Sequence, residues 1–167
     1  MALNTSDVSA GAGDLSIRIA RKGDIPDITR LNTQLGYPET SDTIARRFHR
    51  ILRDRRDHRV FVAVADRASQ TSARSRGVVI GWVHVFIDKL LTVGPRAEIG
   101  GLVVDEGRRS RGVGAALLQG AEQWAQQKGF SRVVVRTNVV RTRAHGFYEK
   151  CGYQLLKQSK VYYKNVH

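Results

Sequence analysis

The order of apolar and polar positions along this 167-residue chain predicts a mixed α/β fold. Between residues 42 and 55, apolar side chains recur at helical spacing, at Ile44, Phe48, Ile51 and Leu52. Shorter apolar runs between turn residues favour strands. The predicted elements are, in order, strand 15–20, helix 24–35, helix 42–55, strand 59–66, strand 77–88, strand 96–104, helix 111–128, strand 131–137, helix 141–151, and strands 153–157 and 160–165. Helices and strands mixed in this way indicate a layered architecture around one core.

Residues 103–118 run from an apolar strand into a turn rich in glycine and arginine, and the turn opens a helix that begins near Arg111. The first N–H groups of a helix have no intrahelical partner and lie at the positive end of its macrodipole, which normally favours acidic residues there. Arginines stand there instead: Arg108, Arg109 and Arg111. Because Gly112 and Gly114 let the backbone approach a ligand closely, the turn predicts a polyphosphate-binding site. An ordinary turn with surface arginines is the alternative.

Two better-known phosphate-binding loops do not fit this turn. A dinucleotide fingerprint needs a third Gly or Ala at position 117, which is Leu117, and an acidic residue at the end of the next strand, where Asn138 stands. A Walker loop needs a lysine in the turn, and no lysine occurs between Lys89 and Lys128.

The turn resembles the signature of the GNAT acetyltransferase superfamily, Gln/Arg-x-x-Gly-x-Gly/Ala, because residues 109–114 read Arg-Ser-Arg-Gly-Val-Gly. The run 144–153 is similar to the family's Ala-x-x-x-Tyr-x-x-x-Gly-Phe/Tyr segment. Between the two stand a strand at 132–137 and Asn138 at its end, as the family pattern requires. These motifs are specific for the fold and the cofactor, and much less so for the substrate.

The resemblance implies the GNAT fold, of class α/β in its α+β mixed-sheet form. Its central, mostly antiparallel sheet would have six to seven strands, would splay at a bulge, and would be flanked by four helices. Gly100 and Gly101 support a bulge in strand 96–104, since glycine marks strand distortion or close backbone approach. A simple strand twist is the alternative.

The resemblance covers about residues 15–166, because 17–28 also look like the family's first strand and helix. We expect 1–14 to be a flexible N-terminal tail without signal-peptide character, and 15–167 to be a single GNAT acetyltransferase domain. No apolar run approaches the ~20 residues needed to span a bilayer, so we expect a cytoplasmic enzyme. The lone Cys151 excludes an internal disulfide, and no Cys/His cluster indicates a metal site.

Acetyl-CoA is the cofactor that the resemblance implies, with its phosphates on the glycine-rich turn. The pantetheine arm is expected to pair with the main chain of the strand at 98–104 like an added strand. The expected cofactor contacts are Leu102, Val103, Val104, Arg109, Ser110, Arg111, Gly112, Val113, Gly114, Ala115, Asn138, Arg143, Phe147 and Tyr148.

Similarity to the family also implies direct attack of a primary amine on the thioester in a ternary complex. An alkylammonium, with a pKa of about 10.4, must first lose a proton. Glu98 is the candidate base, because it precedes the glycine pair at about the position where several members of the superfamily use a glutamate. A carboxylate in an apolar strand is too costly to bury unless it is solvated or paired, which points to a side chain that faces the cleft. A salt bridge to Arg96 or another arginine is the alternative for Glu98, and His84 is the runner-up base.

Tyr148 matches the family's acid position and is the candidate that protonates the leaving thiolate, since a phenol is neutral at physiological pH. Packing and hydrogen bonding to the cofactor is the alternative role. By family precedent, a backbone N–H at Val103 or Leu102 would stabilise the developing oxyanion.

Residues 31–40 connect the first two helices, which in this superfamily cover the acceptor side, so Tyr37 and Glu39 are expected acceptor contacts, together with His84. For Glu39, an ordinary dipole partner of the next helix is the alternative. The expected acceptor is an amine of a small molecule or peptide. Protein N-terminal or lysine acetylation is the enzymatic alternative, and a non-catalytic acyl-CoA sensor or a basic nucleic-acid adaptor are alternatives from other classes.

The net charge of +13 fits an anionic ligand. The arginines of the glycine-rich turn have a small-molecule explanation, and the cluster from Arg46 to Arg59 is interleaved with acidic residues like a solvated helix face. We therefore expect neither nucleic acid nor membrane as a partner. The terminal strands, 153–157 and 160–165, could form the edge of a homodimer, although a monomer is equally compatible with the sequence.

Overall fold

Five strands of the described residues form one sheet in the order β1-β2-β3-β4-β5. The computed structural model describes residues 15–65 and 77–166, so the tail predicted at 1–14 lies outside them. The strands are β1 (Leu15–Ile19), β2 (His58–Ala65), β3 (Val78–Leu90), β4 (Gly94–Val104) and β5 (Val133–Val135). Strands β1 to β4 pair antiparallel in chain order, and β5 pairs parallel with β4. The mixed sheet confirms the predicted fold class.

Four α-helices occur within the described residues, as predicted. They are α1 (Ile25–Gln34), α2 (Ser41–Arg53), α3 (Val113–Gln127) and α4 (Thr142–Lys150). Helix α3 begins two residues later than expected, because Gly112 has a φ of 79° and serves as its N-cap. The sheet and α1 to α3 belong to one compact unit, Met1–Arg136, and α4 belongs to a second, Thr137–His167. The single domain expected over 15–167 stays a prediction.

Helices cover both faces of the sheet in the first unit. Trp82 of β3 belongs to the core formed with α1 and α2, which includes Leu31 and Phe48. The neighbouring Gly81 points the other way, since a Cβ there would lie 3.0 Å from Leu117 Cδ1 of α3. No helix in the described parts of the chain is long and apolar enough to cross a membrane.

The bulge predicted in β4 is confirmed. The pairing with β3 shifts there, because Gly101 lies opposite His84 while Ile99 lies opposite Val85, which leaves Gly100 as the extra residue. Strand β5 pairs with β4 only at residues 97–99 and stops beside the bulge. Beyond it, the β5 side of β4 has no strand neighbour among the described residues of this unit.

In the part of the chain that the structure describes, the sheet has five strands rather than six or seven, because the strands predicted at 153–157 and 160–165 are wrong. Both segments lack regular secondary structure, and their apolar side chains are exposed; Leu155 is 78% and Tyr163 92% exposed. A strand needs a neighbour to pair its backbone N–H and C=O groups, and an apolar pattern alone does not provide one. The homodimer edge expected from these strands stays a prediction.

Candidate active site

The turn between β4 and α3 forms a backbone cradle. A short 3₁₀ helix, Glu106–Arg108, precedes two residues with positive φ, Ser110 at 64° and Gly112 at 79°. Left-handed residues let successive N–H groups converge on one point, as in anion-binding nests. No side chain caps the start of α3, and no acidic residue lies in its first turn. With Arg111 exposed beside it, this end of α3 is suited to an anion.

The acidic residues of the turn pair with arginines and leave the cradle positive. Asp105 forms an ion pair with Arg30 of α1, and the hydrogen bond from Arg30 lowers the pKa of the Asp105 carboxyl. Glu106 Oε1 lies 3.5 Å from Arg109 Nη2. The Nε of Arg109 also donates to the carbonyl oxygen of Val104 at 3.2 Å, which ties the arginine to the end of β4.

Residues 101–104 of β4 offer an open backbone edge next to the cradle. They pair with β3 on one side, and on the other side β5 ends before they begin. Leu102 is half-buried, whereas Val103 and Val104 are buried. An extended ligand can add to such an edge through main-chain hydrogen bonds.

Glu98 lies in an ion-pair network at the bulge. Its Oε2 is 3.0 Å from Arg96 Nη2, and its Oε1 is 3.1 Å from Arg136 Nη1. Arg96 Nη2 also lies 3.1 Å from Asp88 Oδ2. The Glu98 side chain is only 5% exposed. The salt bridge considered as an alternative for Glu98 therefore exists in the structure.

His84 packs against the bulge from β3. A Cβ at Gly100 would lie 3.0 Å from His84 Nδ1, so a side chain there would crowd the imidazole. On its other side, His84 Nε2 lies 3.1 Å from His58 Nδ1, and the ring stacks on Phe86. Burial, with a smaller contribution from His58, lowers the pKa of His84 from 6.5 to about 4. The imidazole is therefore neutral at pH 7.

Acidification is expected to weaken the fold through His84. Because the pKa of His84 is lower in the folded chain than in the unfolded chain, the unfolded chain binds the proton first as the pH falls below 6.5. The contribution of neutral His84 to the free energy of unfolding is fully present above pH 6.5, and about 2 kcal/mol of it is lost by pH 5. Urea unfolding at the two ends of this range measures the loss. His84→Gln should flatten the pH dependence and His49→Gln on α2 should not; equal slopes for all three proteins would contradict the assignment.

The connection between α1 and α2 approaches the bulge. A Cβ at Gly101 would lie 3.9 Å from Leu35 Cδ2, at the end of α1. Tyr37 is 59% exposed. Glu39 Oε1 accepts a hydrogen bond from Arg47 Nη2 of α2 at 2.6 Å, so α2 engages its carboxylate.

The second unit holds the remaining residues singled out from the sequence, Asn138, Arg143, Phe147 and Tyr148. The Tyr148 ring contacts Phe147 and Tyr153 edge-on, with ring centroids 5.2 and 5.6 Å apart. Burial, assisted by Cys151, raises the pKa of Tyr148, so its phenol keeps its proton at neutral pH. Asn138 Oδ1 accepts a hydrogen bond from Val140 N at 3.2 Å, and Arg143 is exposed.

Several polar residues were missed by reasoning from the sequence, namely Asp88, Arg136 and His58 near the bulge and Arg30 beside the cradle. Asp88 could have been found from the pairing of β3 with β4. It lies opposite Arg96, and Glu98 is the next residue after Arg96 on the same face of β4. No local pattern indicates Arg136, because it reaches Glu98 from beyond the end of β5.

Comparison with known proteins identifies a family. The profile described as "Acetyltransferase (GNAT) family" matches residues 26–153. A curated relative, N-acetyltransferase family 8 member 3 of Rattus norvegicus, is 30% identical over 95 residues, which are 56% of this chain and 41% of that protein. The matched region thus spans less than half of the relative's length.

Two solved structures show the same fold. Aminoglycoside N-acetyltransferase AAC(6')-Iy in complex with CoA has a TM-score of 0.78 at 21% identity, over 95% of this chain and 100% of that one. The apo aminoglycoside antibiotic 6'-N-acetyltransferase AAC(6')-IG from Acinetobacter haemolyticus has a TM-score of 0.73 at 18% identity, over 90% and 99%. The profile match over most of its length establishes that the chain belongs to the GNAT family of acetyltransferases, enzymes that use acetyl-CoA.

Proposed function

We propose that this acetyltransferase transfers an acetyl group from acetyl-CoA to a primary amine of a small molecule or peptide, by direct attack in a ternary complex. The observation that carries the proposal is the open edge of β4 at 101–104, which leads into the anion cradle at 109–114. One strand thus offers a site for an extended arm and, at its end, a site for phosphates. The rat relative and the solved neighbours are named N-acetyltransferases, which supports an amine as the acceptor.

The residues of the cradle fit acetyl-CoA. The uncapped start of α3 and the arginines around it would hold the phosphates, and the main chain of 102–104 would pair with the pantetheine arm. In the second unit, Asn138, Arg143 and Phe147 keep the cofactor roles expected from the sequence. Acetyl-CoA supplies the activated acetyl thioester when it is bound.

Glu98 is the proposed base that takes the proton of the acceptor ammonium. Its contacts with Arg96 and Arg136 hold the carboxylate in place, and a carboxylate has about four acceptor positions, so two guanidinium contacts leave room for an amine or a water. The Arg136 side chain is 65% exposed, so solvent reaches this end of the network. The neutral imidazole of His84, beside Gly100, is the second candidate.

Two further groups complete the proposed chemistry. The backbone N–H of Val103 or Leu102 would stabilise the negative charge that develops on the acetyl carbonyl oxygen. Tyr148 would donate its phenolic proton to the leaving sulfur, and the burial that raises its pKa keeps that proton on the phenol at neutral pH.

The acceptor is proposed to contact Tyr37 and Glu39 on the connection between α1 and α2. A cationic acceptor would compete with Arg47 for the Glu39 carboxylate, which favours amines with more than one positive charge. A cytoplasmic location is part of the proposal, because the single Cys151 suits a reducing compartment.

Turnover of acetyl-CoA, read as free thiol release, tests the proposal against aminoglycosides, polyamines, amino acids and short peptides. Calorimetric titration with CoA runs alongside. We expect CoA binding together with turnover of one amine class. CoA binding without turnover of any amine would favour an acyl-CoA sensor, and salt-sensitive RNA binding without CoA binding would favour a nucleic-acid adaptor. The absence of CoA binding would overturn the cradle assignment.

A further inference from the structure

An open cavity lies in the first unit, and none of the cradle residues lines it. It has a volume of about 550 Å³ and is lined by the end of β1 and the turn after it, the last turns of α2 and the start of β2. This volume is within the range of small-ligand pockets. No residue of the proposed transfer reaction lines it.

The cavity and the cradle are separate sites. Strands β2 and β4 run in the same direction, since each is antiparallel to β3. His58 at the start of β2 is level with Glu98, since both lie opposite Phe86, whereas the cradle follows Val104. Six residues of strand separate these levels, or about 20 Å along the sheet, and the two strands lie about 10 Å apart across it.

Five cationic side chains line the cavity, and no carboxylate does. They are Arg18, Arg21, Lys22, Arg55 and Arg59. Only Arg18 has a carboxylate partner among the described residues, Asp24, with contacts of 2.7 and 2.8 Å. Asp54 Oδ2 lies 3.9 Å from Nε2 of His58, a lining residue, and Asp57 pairs with Lys89 outside the lining.

Backbone carbonyl groups hold two of these arginines in place. Arg59 Nη2 donates to the carbonyl oxygen of Arg55, and Arg55 Nε to that of Leu52, each at 3.3 Å. Burial lowers the pKa of Arg59, and repulsion from Arg55 lowers it further. Two fixed guanidinium groups that repel each other are stabilised by an anion between them.

The floor of the cavity is apolar, which decides the class of anion. Phe48 is buried, and Ile51 and Leu52 are half-buried beside it. Inorganic phosphate would contact only the guanidinium groups and would bury none of the apolar floor. A ligand with a hydrocarbon part would also bury apolar surface against α2, at about 25 cal/mol per Å².

We propose that this cavity binds a small organic anion, a phosphate monoester whose ester group is apolar. The phosphate oxygens contact Arg55 and Arg59, and the ester group packs on Phe48 and Leu52. The site is independent of acetyl transfer and of the cofactor.

Titration of the ¹⁵N-labelled full chain with phenyl phosphate tests the proposal, because a protein of 18.6 kDa gives resolved amide spectra. We expect saturable shifts at amides 19–22 and 51–60. Inorganic phosphate, which lacks the apolar ring, and phenol, which lacks the phosphate, should each bind at least several-fold more weakly than phenyl phosphate. Added salt should weaken binding of phenyl phosphate. The absence of saturable shifts, or shifts confined to 109–114, would overturn the proposal.

Matched variants locate the site. Arg59→Gln should lower the affinity for phenyl phosphate about tenfold and leave the affinity for CoA unchanged. Arg50→Gln, the same charge change at an exposed position of α2 outside the cavity, should leave both affinities unchanged. Arg55 is exposed, so Arg55→Gln provides the same test without a folding risk. Equal losses in Arg50→Gln and Arg55→Gln would show a general charge effect and reject the site.

Discussion

Tyr148→Phe is expected to lower kcat about 100-fold while the affinity for CoA stays unchanged. The substitution removes only the phenolic oxygen. The ring contacts with Phe147 and Tyr153 depend on the aromatic ring, which phenylalanine keeps, so the second unit should retain its packing. Because burial raises the pKa of Tyr148, the wild-type phenol is protonated throughout the neutral range and can serve as the acid. Steady-state kinetics with the best acceptor, together with calorimetric CoA binding, measures both quantities.

Tyr153→Phe is the matched control for this prediction. Tyr153 contacts the same ring, and its substitution removes a hydroxyl from the same unit. We expect its kcat to remain within a few-fold of wild type. A Tyr148→Phe enzyme with normal kcat would reject the acid assignment, and parallel losses of kcat and CoA affinity would assign Tyr148 to cofactor binding.

The sequence was most informative where the local pattern and the tertiary environment agree. Ile44 and Phe48 share a helical face by spacing, and both are buried in the core. The pair Gly100-Gly101 predicted the bulge, because glycine is the residue that permits this distortion. The glycine and arginine pattern of 109–114 likewise indicated an anion site on local grounds, and the φ values of Ser110 and Gly112 agree with it.

Features that depend on distant residues could not be predicted in this way. The ion pairs of Glu98 join β4 to Arg136, which is placed by the parallel pairing of β5. The cations of the cavity beside α2 come from β1, from the turn after β1, from the turn after α2 and from β2, and these segments meet only in the folded chain. The terminal strands were predicted wrongly for the converse reason. Segment 153–157 has the composition of a strand, but no strand of the described residues pairs with it.

Glu98→Gln is expected to destabilise the first unit by about 3 kcal/mol. Glutamine keeps the shape of the side chain but removes the charge that faces Arg96 and Arg136. Among the described residues, Asp88 would then be the one carboxylate left for both guanidinium groups, and the loss falls mainly on Arg96, whose side chain is 22% exposed. Urea unfolding at pH 7.5 measures the change in the free energy of unfolding.

Two variants separate this network from a general charge effect. Asp27→Asn removes a carboxylate from an exposed helical pair with Arg30, so we expect a change of about 0.5 kcal/mol or less. The double substitution of Glu98 and Arg136 by glutamine should be less destabilising than the sum of the single changes, because the unpaired guanidinium is also removed. Additive effects would contradict the coupling.

The activity of folded Glu98→Gln enzyme distinguishes the base from a positioning residue. Loss of the base should slow the reaction most at a pH where the acceptor amine is protonated, so kcat/KM should fall about 100-fold at pH 7.5. The loss should shrink towards pH 10, where an alkylamine with a pKa of about 10.4 begins to release its own proton. A loss of equal size at both pH values would make Glu98 a positioning residue that acts through Arg96 and Arg136. Wild-type activity at pH 7.5 would exclude Glu98 from proton transfer and leave His84 as the base, to be tested by the same pH comparison on His84→Gln.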